Sequence, residues 1–318
     1  MTTPPNLFVS AYITAPGGDP QQEDAFFDAV AGLDIGGLEY GLAPEGARTL
    51  DPAWIAAHVL PTWDLVVTLV PTMMVRLGTE PAYGLASTDE TQRARALADV
   101  ARARDLARSL ADTHGRRRVT AIEIHTAPGP VLGSREAFTR SLDEILTWDL
   151  AGAELLVEHC DAHVPGQTAA KGFFTLADEL EIVQGYGLAP DVLGMAVNWG
   201  RSAIEGRDPA TAVEHTQAVA DAGLLRALVL SGATDVDSAW GPAWTDMHIP
   251  TRGDAPALEA SAVSLLGPEE TAATLTAAGD VPRIGLKYAV RPQDADVATR
   301  IAVLTATLQQ VADARAAL

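Results

Sequence analysis

The chain of 318 residues has one cysteine and no long apolar run, and both shortages exclude whole classes of protein. The lone cysteine, Cys160, cannot form an intramolecular disulfide, and it favours a reducing compartment. No uninterrupted apolar stretch approaches the ~20 residues of a membrane-spanning helix. The N-terminal stretch, residues 1–18, lacks the basic region and the long apolar run of a signal peptide. We therefore expect a cytoplasmic protein without a membrane partner.

Basic residues are also scarce. The sequence has 22 lysine and arginine residues against 42 aspartate and glutamate residues, a net charge of −20. A protein that binds a phosphate backbone needs a basic surface, so we expect no nucleic acid partner. Only two of the basic residues are lysines, Lys171 and Lys287. Lysine, unlike arginine, can lose its proton when it is desolvated, so both are candidates for chemistry.

Eight short apolar runs recur along the chain, and a helical stretch follows almost every one of them. This alternation predicts a parallel sheet, because each return connection between parallel strands needs a helix. Eight such units predict a single domain over residues 1–318 with the α/β fold of a (β/α)₈ TIM barrel. The predicted strands are Leu7–Ala11, Gly36–Tyr40, Leu65–Leu69, Val119–Ile124, Ala153–Glu158, Gly194–Asn198, Ala227–Ser231 and Arg283–Lys287.

The predicted helices are clearest where alanine and charged residues alternate. The longest spans Glu90–His114, with Ser87 or Thr88 as its N-cap and Gly115 at its end. Its arginine and acidic residues at helical spacing indicate a solvated outer face. The other predicted helices of this kind are Arg135–Leu150, Leu176–Gly185, Pro209–Ala222 and Pro292–Leu318.

Two segments are too long to be simple connections. One is the loop 161–174 after the fifth predicted strand, and the other is an insertion over residues 232–280, between the seventh and eighth. The insertion begins with a stretch rich in Gly, Pro and Trp, and two helices are predicted in it, the second starting at Gly267-Pro268. Long loops in a compact domain are usually functional, so we expect both segments to cover the barrel mouth as lids or substrate-binding walls. The alternative is that both segments are ordinary surface loops without a function.

Polar residues end the predicted strands of the second half of the chain. Barrels of this type carry their chemistry at the C-terminal strand ends. The residues at the ends of strands five to eight are Glu158, Asn198, Ser231 and Lys287, and Arg201 follows three residues after Asn198. In the first half, the corresponding positions hold Glu39 and His125, and Glu123 precedes His125 by two residues, so that either of the two could point into the mouth.

This layout resembles the xylose isomerase-like barrel superfamily, which includes sugar isomerases, ketose 3-epimerases and endonuclease IV. The resemblance extends over nearly the whole chain as the order and spacing of strands. In the epimerase branch a divalent metal is held by Glu, Asp, His and Glu at the ends of strands five to eight. A second His follows the Asp by three positions. The resemblance implies that the matching residues here are Glu158, Asn198, Ser231 and Lys287, with Arg201 at the position of the second His.

Only Glu158 keeps the residue type of the metal-binding relatives. Asparagine and serine are weak neutral ligands, and protonated lysine and arginine have no lone pair and repel a cation. We therefore expect neither a metal nor another cofactor, and we expect Arg201 and Lys287 to supply the positive charge instead. A plain Glu158–Lys287 ion pair is the structural alternative. A shifted alignment, with Asp161, His163 or His248 as ligands, would restore a metal.

Further side chains are candidates for binding a sugar. Asn198 and His125 would orient hydroxyl groups, and the aromatic rings of Trp199 and Tyr12 would stack on the sugar, with core packing as the alternative. The remaining candidates are Ser231, Glu39, Lys171 and His248. His159 follows Glu158 directly, and neighbouring strand residues point to opposite faces, so His159 is expected to face the helices.

The interpretation that accounts for most of these residues is an enzyme acting on a small carbohydrate. It would be a sugar or sugar-acid isomerase or epimerase, or a related lyase, that removes a proton next to a carbonyl. Glu158 would be the base, and Lys287 and Arg201 would stabilise the enediolate. Two alternatives stay open: a non-catalytic sugar-binding barrel, and an aldolase or lyase that uses Lys287 as a Schiff base. A homodimer is also left open.

Overall fold

Eight parallel strands form a closed barrel in chain order in the computed structural model, which describes residues 6–318. Residues 1–5, part of the stretch in which no signal peptide is predicted, lie outside the described residues. The predicted TIM-barrel fold is confirmed, and every strand lies within two residues of its predicted bounds. The strands are β1 (Leu7–Val9), β2 (Gly37–Gly41), β3 (Asp64–Thr68), β4 (Val119–Ile124), β5 (Glu154–His159), β6 (Leu193–Asn198), β7 (Leu225–Leu230) and β8 (Ile284–Leu286).

Helices surround the barrel, and among residues 6–318 none is long and apolar enough to cross a membrane. The α-helices are α1 (Ala11–Thr14), α2 (Pro20–Val30), α3 (Pro52–His58), α4 (Val70–Leu77), α5 (Glu90–His114), α6 (Arg135–Ile145), α7 (Leu176–Gly185), α8 (Trp199–Gly206), α9 (Pro209–Asp221), α10 (Pro268–Ala278) and α11 (Val297–Ala316). Helices α5 and α7 have the predicted bounds.

Several predicted helix ends are wrong, and capping explains two of them. The N-cap of α5 is Asp89 instead of Ser87 or Thr88, because its carboxylate accepts hydrogen bonds from two backbone N–H groups of the first turn. Helix α11 begins after Asp296, which caps it in the same way, and not at Pro292. Helix α6 ends at Ile145 instead of Leu150. The first helix predicted in the insertion is a 3₁₀ segment, Pro256–Ser261.

Alternate residues of each strand point into the barrel, where they form layers. The side chains of the middle layer are apolar, and most of them are small. They form a cluster separate from the main core: Phe8, Val66, Ala121, Leu156, Ala196 and Ala227. The intervening strand residues pack outward against the helices and belong to the main core. Two residues further along the strands, the inward-facing side chains become polar except at Val229 of β7, and this third layer forms the barrel mouth.

The N-terminal end of the barrel is closed by a buried ion cluster. The Glu154 carboxylate accepts two hydrogen bonds from Arg283, both of 2.8 Å, and two from Arg226, both of 2.9 Å. Arg283 also donates to the carbonyl oxygen of Thr120 at 3.2 Å. These bonds join β4, β5, β7 and the start of β8. The cluster therefore holds the strands together at the end opposite the mouth.

Removing the central carboxylate should destabilise the fold. Glu154→Gln leaves two arginines around a neutral amide, and breaking a buried pair costs about 3–5 kcal/mol. We expect urea denaturation to show a loss of about 3 kcal/mol in the free energy of unfolding. The control is Glu181→Gln, because Glu181 pairs with Arg135 at 2.8 Å with its side chain 71% exposed. That change should cost no more than about 1 kcal/mol. Equal stability of the two variants would contradict the assigned role of the cluster.

Candidate active site

Glu158 lies at the centre of the mouth layer, with its carboxylate fully buried. His125 Nε2 lies 2.6 Å from Oε2, Asn198 Nδ2 donates to Oε1 at 3.1 Å, and Arg201 Nη1 lies 2.7 Å from Oε1. Burial alone would raise the pKa of Glu158. The charges of Arg201 and Lys287 and the hydrogen bond from His125 instead hold that pKa well below its ordinary value. Glu158 is therefore a carboxylate held by two hydrogen bonds, from His125 and Asn198, and by an ion pair with Arg201.

His125, at the end of β4, is oriented by Glu158. Because a carboxylate only accepts hydrogen bonds, their contact places the imidazole proton on Nε2. The other ring nitrogen, Nδ1, is buried and has no hydrogen-bond partner among residues 6–318. Burial lowers the pKa of His125, although the Glu158 hydrogen bond opposes this, so the ring is neutral near pH 7. A neutral imidazole that a buried carboxylate orients is the arrangement of a general base.

Arg201, in the first turn of α8, connects Glu158 to its surroundings. Its Nη1 also donates to Cys160 Sγ at 3.0 Å, and its Nε donates to Asp246 Oδ2 at 3.3 Å. Nη2 is buried and has no acceptor among the described residues. A buried guanidinium with a free N–H₂ group can donate to an oxygen of a bound ligand, with its charge already in place.

Lys287 forms a second ion pair at the mouth, with Glu39. Its Nζ donates to Glu39 Oε1 at 2.7 Å, and the Tyr12 hydroxyl donates to the same oxygen at 3.1 Å. Ser10 donates to the other carboxylate oxygen. Burial opposes the charge, but Glu39 raises the pKa of Lys287 well above its ordinary value. Lys287 is thus an ammonium ion whose hydrogen-bonded partner is Glu39, and not Glu158 as the structural alternative supposed.

Glu123 also points into the barrel, two residues before His125 on the same face of β4. The side chain is 1% exposed, and Oε2 has no hydrogen-bond partner in the described chain. Burial, with the nearby charges of Glu158 and Glu39, raises the pKa of Glu123 well above its ordinary value. The shift favours the protonated form of Glu123, next to the ionised Glu158. The spacing from His125 was the signal that could have selected it.

The insertion 232–280 and the loop 161–174 meet at the mouth through Asp246. Its Oδ2 lies 3.1 Å from Nζ of Lys171, which comes from the loop, and 3.3 Å from Nε of Arg201. Sequence analysis missed Asp246. The one available signal was its position two residues before His248, in a loop without helix or strand.

His248 completes this contact between the insertion and the barrel. Its Nδ1 lies 3.2 Å from Asp246 Oδ1 and 2.9 Å from the hydroxyl of Ser231, which follows β7. The backbone of His248 has φ of 53°, in the left-handed region that residues with a Cβ seldom adopt. Such conformations persist only where surrounding contacts impose them, and they occur often at functional sites.

A cavity of about 290 Å³ reaches the Glu39 side of the mouth. Glu39 and Tyr12 form its polar wall, and Phe27, Tyr40 and Trp54 form much of its apolar wall. Its size is near the lower limit of small-molecule sites. Glu23 and Thr49 add polar groups beside the aromatic residues.

Ten of the eleven predicted site residues lie in the two hydrogen-bonded networks at the mouth. They are Glu158, Lys287, Arg201, Asn198, His125, Ser231, Glu39, Tyr12, Lys171 and His248. The eleventh, Trp199, is fully buried in the main apolar core instead. It follows Asn198 directly, and because Asn198 points inward, the Trp199 ring packs on the outer side. Its predicted role in sugar stacking is therefore corrected to core packing.

The mouth does not fit the metal that the superfamily resemblance implies. His125, Glu158 and Cys160 offer ligand atoms within 4.8 Å of one another. Nη1 of Arg201 already lies 2.7 Å from the Glu158 carboxylate and 3.0 Å from the Cys160 sulfur. Asn198 directs its N–H₂ group, and not its oxygen, at Glu158. A cation here would meet a fixed positive charge and a donor where it needs acceptors.

Comparison with known families and proteins gives two matches over most of the sequence. A family model described as "Domain of unknown function (DUF4862)" matches residues 8–303. The chain is also 36% identical over 252 residues to "Uncharacterized protein STM3670" of Salmonella typhimurium (strain LT2). That alignment includes 76% of this chain and 77% of the relative.

Solved structures share the fold at low sequence identity. A crystal structure described as D-psicose 3-epimerase with D-tagatose, from Clostridium cellulolyticum H10, has a TM-score of 0.56 at 13% identity, covering 97% of this chain and 98% of the other. A putative xylose isomerase from Rhodospirillum rubrum has a TM-score of 0.60 at 13% identity, covering 97% and 99%. These matches show the xylose isomerase-like barrel fold.

Because His248 is buried in its contact with the mouth, we expect the stability of the fold to depend on pH. Burial lowers the pKa of His248 to about 4, although Asp246 opposes this. Below pH ~6.5 His248 therefore binds a proton in the unfolded chain but stays unprotonated in the native state down to a pH of about 4. The free energy of unfolding consequently falls as the pH falls. We expect His248→Gln to reduce the loss of unfolding free energy between pH 7 and pH 5 by about 1–2 kcal/mol in urea melts. The exposed His163 supplies the control His163→Gln, which should leave the pH dependence unchanged.

Proposed function

This chain belongs to the family described as Domain of unknown function (DUF4862), and on that premise we propose that it is an enzyme that moves protons on a sugar or sugar acid. The reaction would be an isomerisation, an epimerisation or a related elimination next to a carbonyl. One observation carries the proposal: the buried imidazole of His125 is oriented by Glu158 with its Nδ1 unpartnered among residues 6–318, and it lies on the same strand face as the buried carboxyl of Glu123. The fold, shared with a structure described as a ketose epimerase, is consistent with it.

His125 is the base in this proposal, and Glu158 positions it. The predicted base was Glu158, but the charges of Arg201 and Lys287 and the hydrogen bond from His125 lower its pKa, so its carboxylate has a weak tendency to take a proton. Nδ1 of His125 carries an unused lone pair, and Glu158 would stabilise the imidazolium formed when it takes a proton from the substrate carbon. A base placed in this way typically contributes ~10²–10⁴-fold to the rate.

Arg201 and Lys287 would stabilise the negative charge that develops on the substrate oxygens. The free Nη2 of Arg201 can donate one hydrogen bond, and the ammonium of Lys287 has donors beyond the one that it gives to Glu39. These charges are already buried and held by carboxylates, so they need little reorganisation when the enediolate forms. The proposed reaction therefore runs without a metal.

Glu123 would supply a proton in the second half of the reaction. Its carboxyl is neutral where Glu158 is ionised, and separated pKa values of this kind divide the acid and base roles in other sites. An acid on a different side chain from the base can return the proton at another atom or face. It can also protonate a departing hydroxyl, so isomerase, epimerase and lyase all remain compatible with the site.

The insertion 232–280 would act as the lid of this site, within a single domain. Asp246 and His248 connect it to residues of the mouth, and Lys171 joins the loop 161–174 to the same carboxylate. Excluding water would strengthen the buried charges that the reaction uses. Asn198 and Ser231 would donate to or accept from substrate hydroxyl groups.

The first test is exchange of substrate hydrogen with solvent. Keto-sugars, aldoses and sugar acids are incubated with the chelator-treated protein in D₂O, and deuterium at the carbon next to the carbonyl is followed by proton NMR. We expect exchange with at least one compound and a ~10²–10⁴-fold slower rate for His125→Gln. His163→Gln should exchange like the wild type. Binding of a sugar without exchange would indicate a non-catalytic barrel, and exchange that needs an added metal would contradict the proposed mechanism.

A second test separates the catalytic from the structural role of Lys287. Lys287→Met leaves Glu39 buried without its cation, so we expect loss of turnover together with about 3–5 kcal/mol of stability. The double variant Lys287→Met/Glu39→Gln should regain most of the stability but none of the turnover. Full turnover in either variant would remove Lys287 from the mechanism. Borohydride trapping of a substrate on wild-type Lys287 would instead support a Schiff-base lyase.

A further inference from the structure

A second polar cluster lies behind the mouth, on the outer side of β5. As strand alternation predicts, His159 points away from Glu158 toward the helices, where Glu205 of α8 and His215 of α9 surround it. We call His159, Glu205 and His215 the outer-face cluster. His159 is fully buried, whereas the side chains of Glu205 and His215 are 14% and 16% exposed. Neither the predicted site nor the proposed reaction uses these residues.

We propose that the outer-face cluster is a zinc site, with two imidazoles and one carboxylate as ligands and a solvent-facing fourth position. One ligand atom from each residue lies within 4.8 Å of the other two. His159 Nε2 is 3.1 Å from Glu205 Oε2, and His215 Nε2 is 3.9 Å from Glu205 Oε1. In a tetrahedral zinc site with bonds of about 2.0 Å, ligand atoms are about 3.3 Å apart, so small side-chain movements suffice.

The groups behind the ligands support a metal. Each histidine has its other ring nitrogen occupied: His159 Nδ1 lies 2.7 Å from Glu179 Oε2, and His215 Nδ1 lies 3.1 Å from the Ser202 hydroxyl. Histidines that bind metals almost always have such a partner, which fixes the ring and the tautomer. The two Nε2 atoms are thereby both directed at the same carboxylate. Glu179 is in turn held by a 2.7 Å hydrogen bond from Thr126.

Charge balance points the same way. Two carboxylates, Glu179 and Glu205, contact His159 at 2.7 Å and 3.1 Å. A divalent ion between His159, Glu205 and His215 would place positive charge next to both, with neutral imidazoles as ligands. Any proton on His159 Nε2 is released to solvent when the ion binds. Unlike the mouth, which Arg201 occupies, the outer-face cluster makes no hydrogen bond or ion pair with a lysine or arginine among residues 6–318.

Such an ion would connect β5 to α8 and α9. Helix α8 carries Arg201 in its first turn and Glu205 in its last, so a metal at Glu205 would hold the helix that positions the guanidinium at the mouth. The inference does not rest on the proposed reaction, because it uses none of the mouth residues as ligands.

Metal binding to the full chain tests the site without any activity measurement. Chelator-treated protein is titrated with ZnCl₂, and bound zinc is counted after gel filtration. CoCl₂ is used in parallel to give the visible spectrum of a tetrahedral site. We expect one zinc per chain, a higher melting temperature with zinc, and at least 100-fold weaker binding for His215→Ala. Ser202→Ala should bind about 10–100-fold more weakly, because its hydroxyl orients a ligand.

Two control variants locate the ion. His163→Ala removes an exposed histidine four residues from His159, and Cys160→Ala removes a ligand atom of the mouth group. Both should retain one zinc. Circular dichroism of the metal-free variants checks folding, and if His215→Ala does not fold, Ser202→Ala decides. The proposal is overturned if the wild type retains no zinc, if His215→Ala and Ser202→Ala bind as tightly as the wild type, or if Cys160→Ala loses the ion.

Discussion

The burial of Glu158 against Arg201 is the interaction on which the mouth depends. Neither charge has access to water, and their separation of 2.7 Å compensates the cost of desolvation only because further groups satisfy them. Glu158 takes the remaining hydrogen bonds from His125 and Asn198, which fixes the imidazole. Nε of Arg201 also donates to Asp246, and this hydrogen bond connects the insertion 232–280 to the barrel. One ion pair thus orients an imidazole, fixes a positive charge and, through Arg201, contacts the insertion 232–280.

The layers of the barrel explain how so much charge is tolerated at one end. Small apolar side chains fill the middle, and the Glu154 cluster closes the opposite end. The mouth is therefore backed by a packed interior that water does not enter, and its charges act at low dielectric. Low dielectric strengthens paired charges and penalises unpaired ones, which is why burial raises the pKa of Glu123 while Arg201 and Lys287 lower the pKa of Glu158. The two carboxyls lie on neighbouring strands, and the charges around them shift their pKa values in opposite directions.

Much of the fold and most of the mouth were predictable from the sequence, and the misses have identifiable causes. Strand ends such as Glu158 and Lys287 could be placed because parallel strands all present their C-terminal ends at one mouth. Trp199 was assigned to the mouth because it follows Asn198 directly, although adjacent residues at a strand end point to opposite faces. Asp246 was missed because an irregular loop has no periodicity that would indicate where a side chain points.

The sequence by itself determined the barrel, its eight strands and the set of polar strand ends, because period-two and helical patterns are local and repeat along the chain. Only the tertiary structure decided how those residues pair. Lys287 bonds to Glu39, 248 residues away along the chain, and Arg201 bonds to Glu158. Which side chains pair depends on the stagger of the strands and on the length of the side chains that extend across the closed barrel. No local sequence pattern predicts the resulting pairs. Protonation depends on partner choice, so the division of roles that we propose for His125, Glu123 and Glu158 likewise depends on the folded molecule.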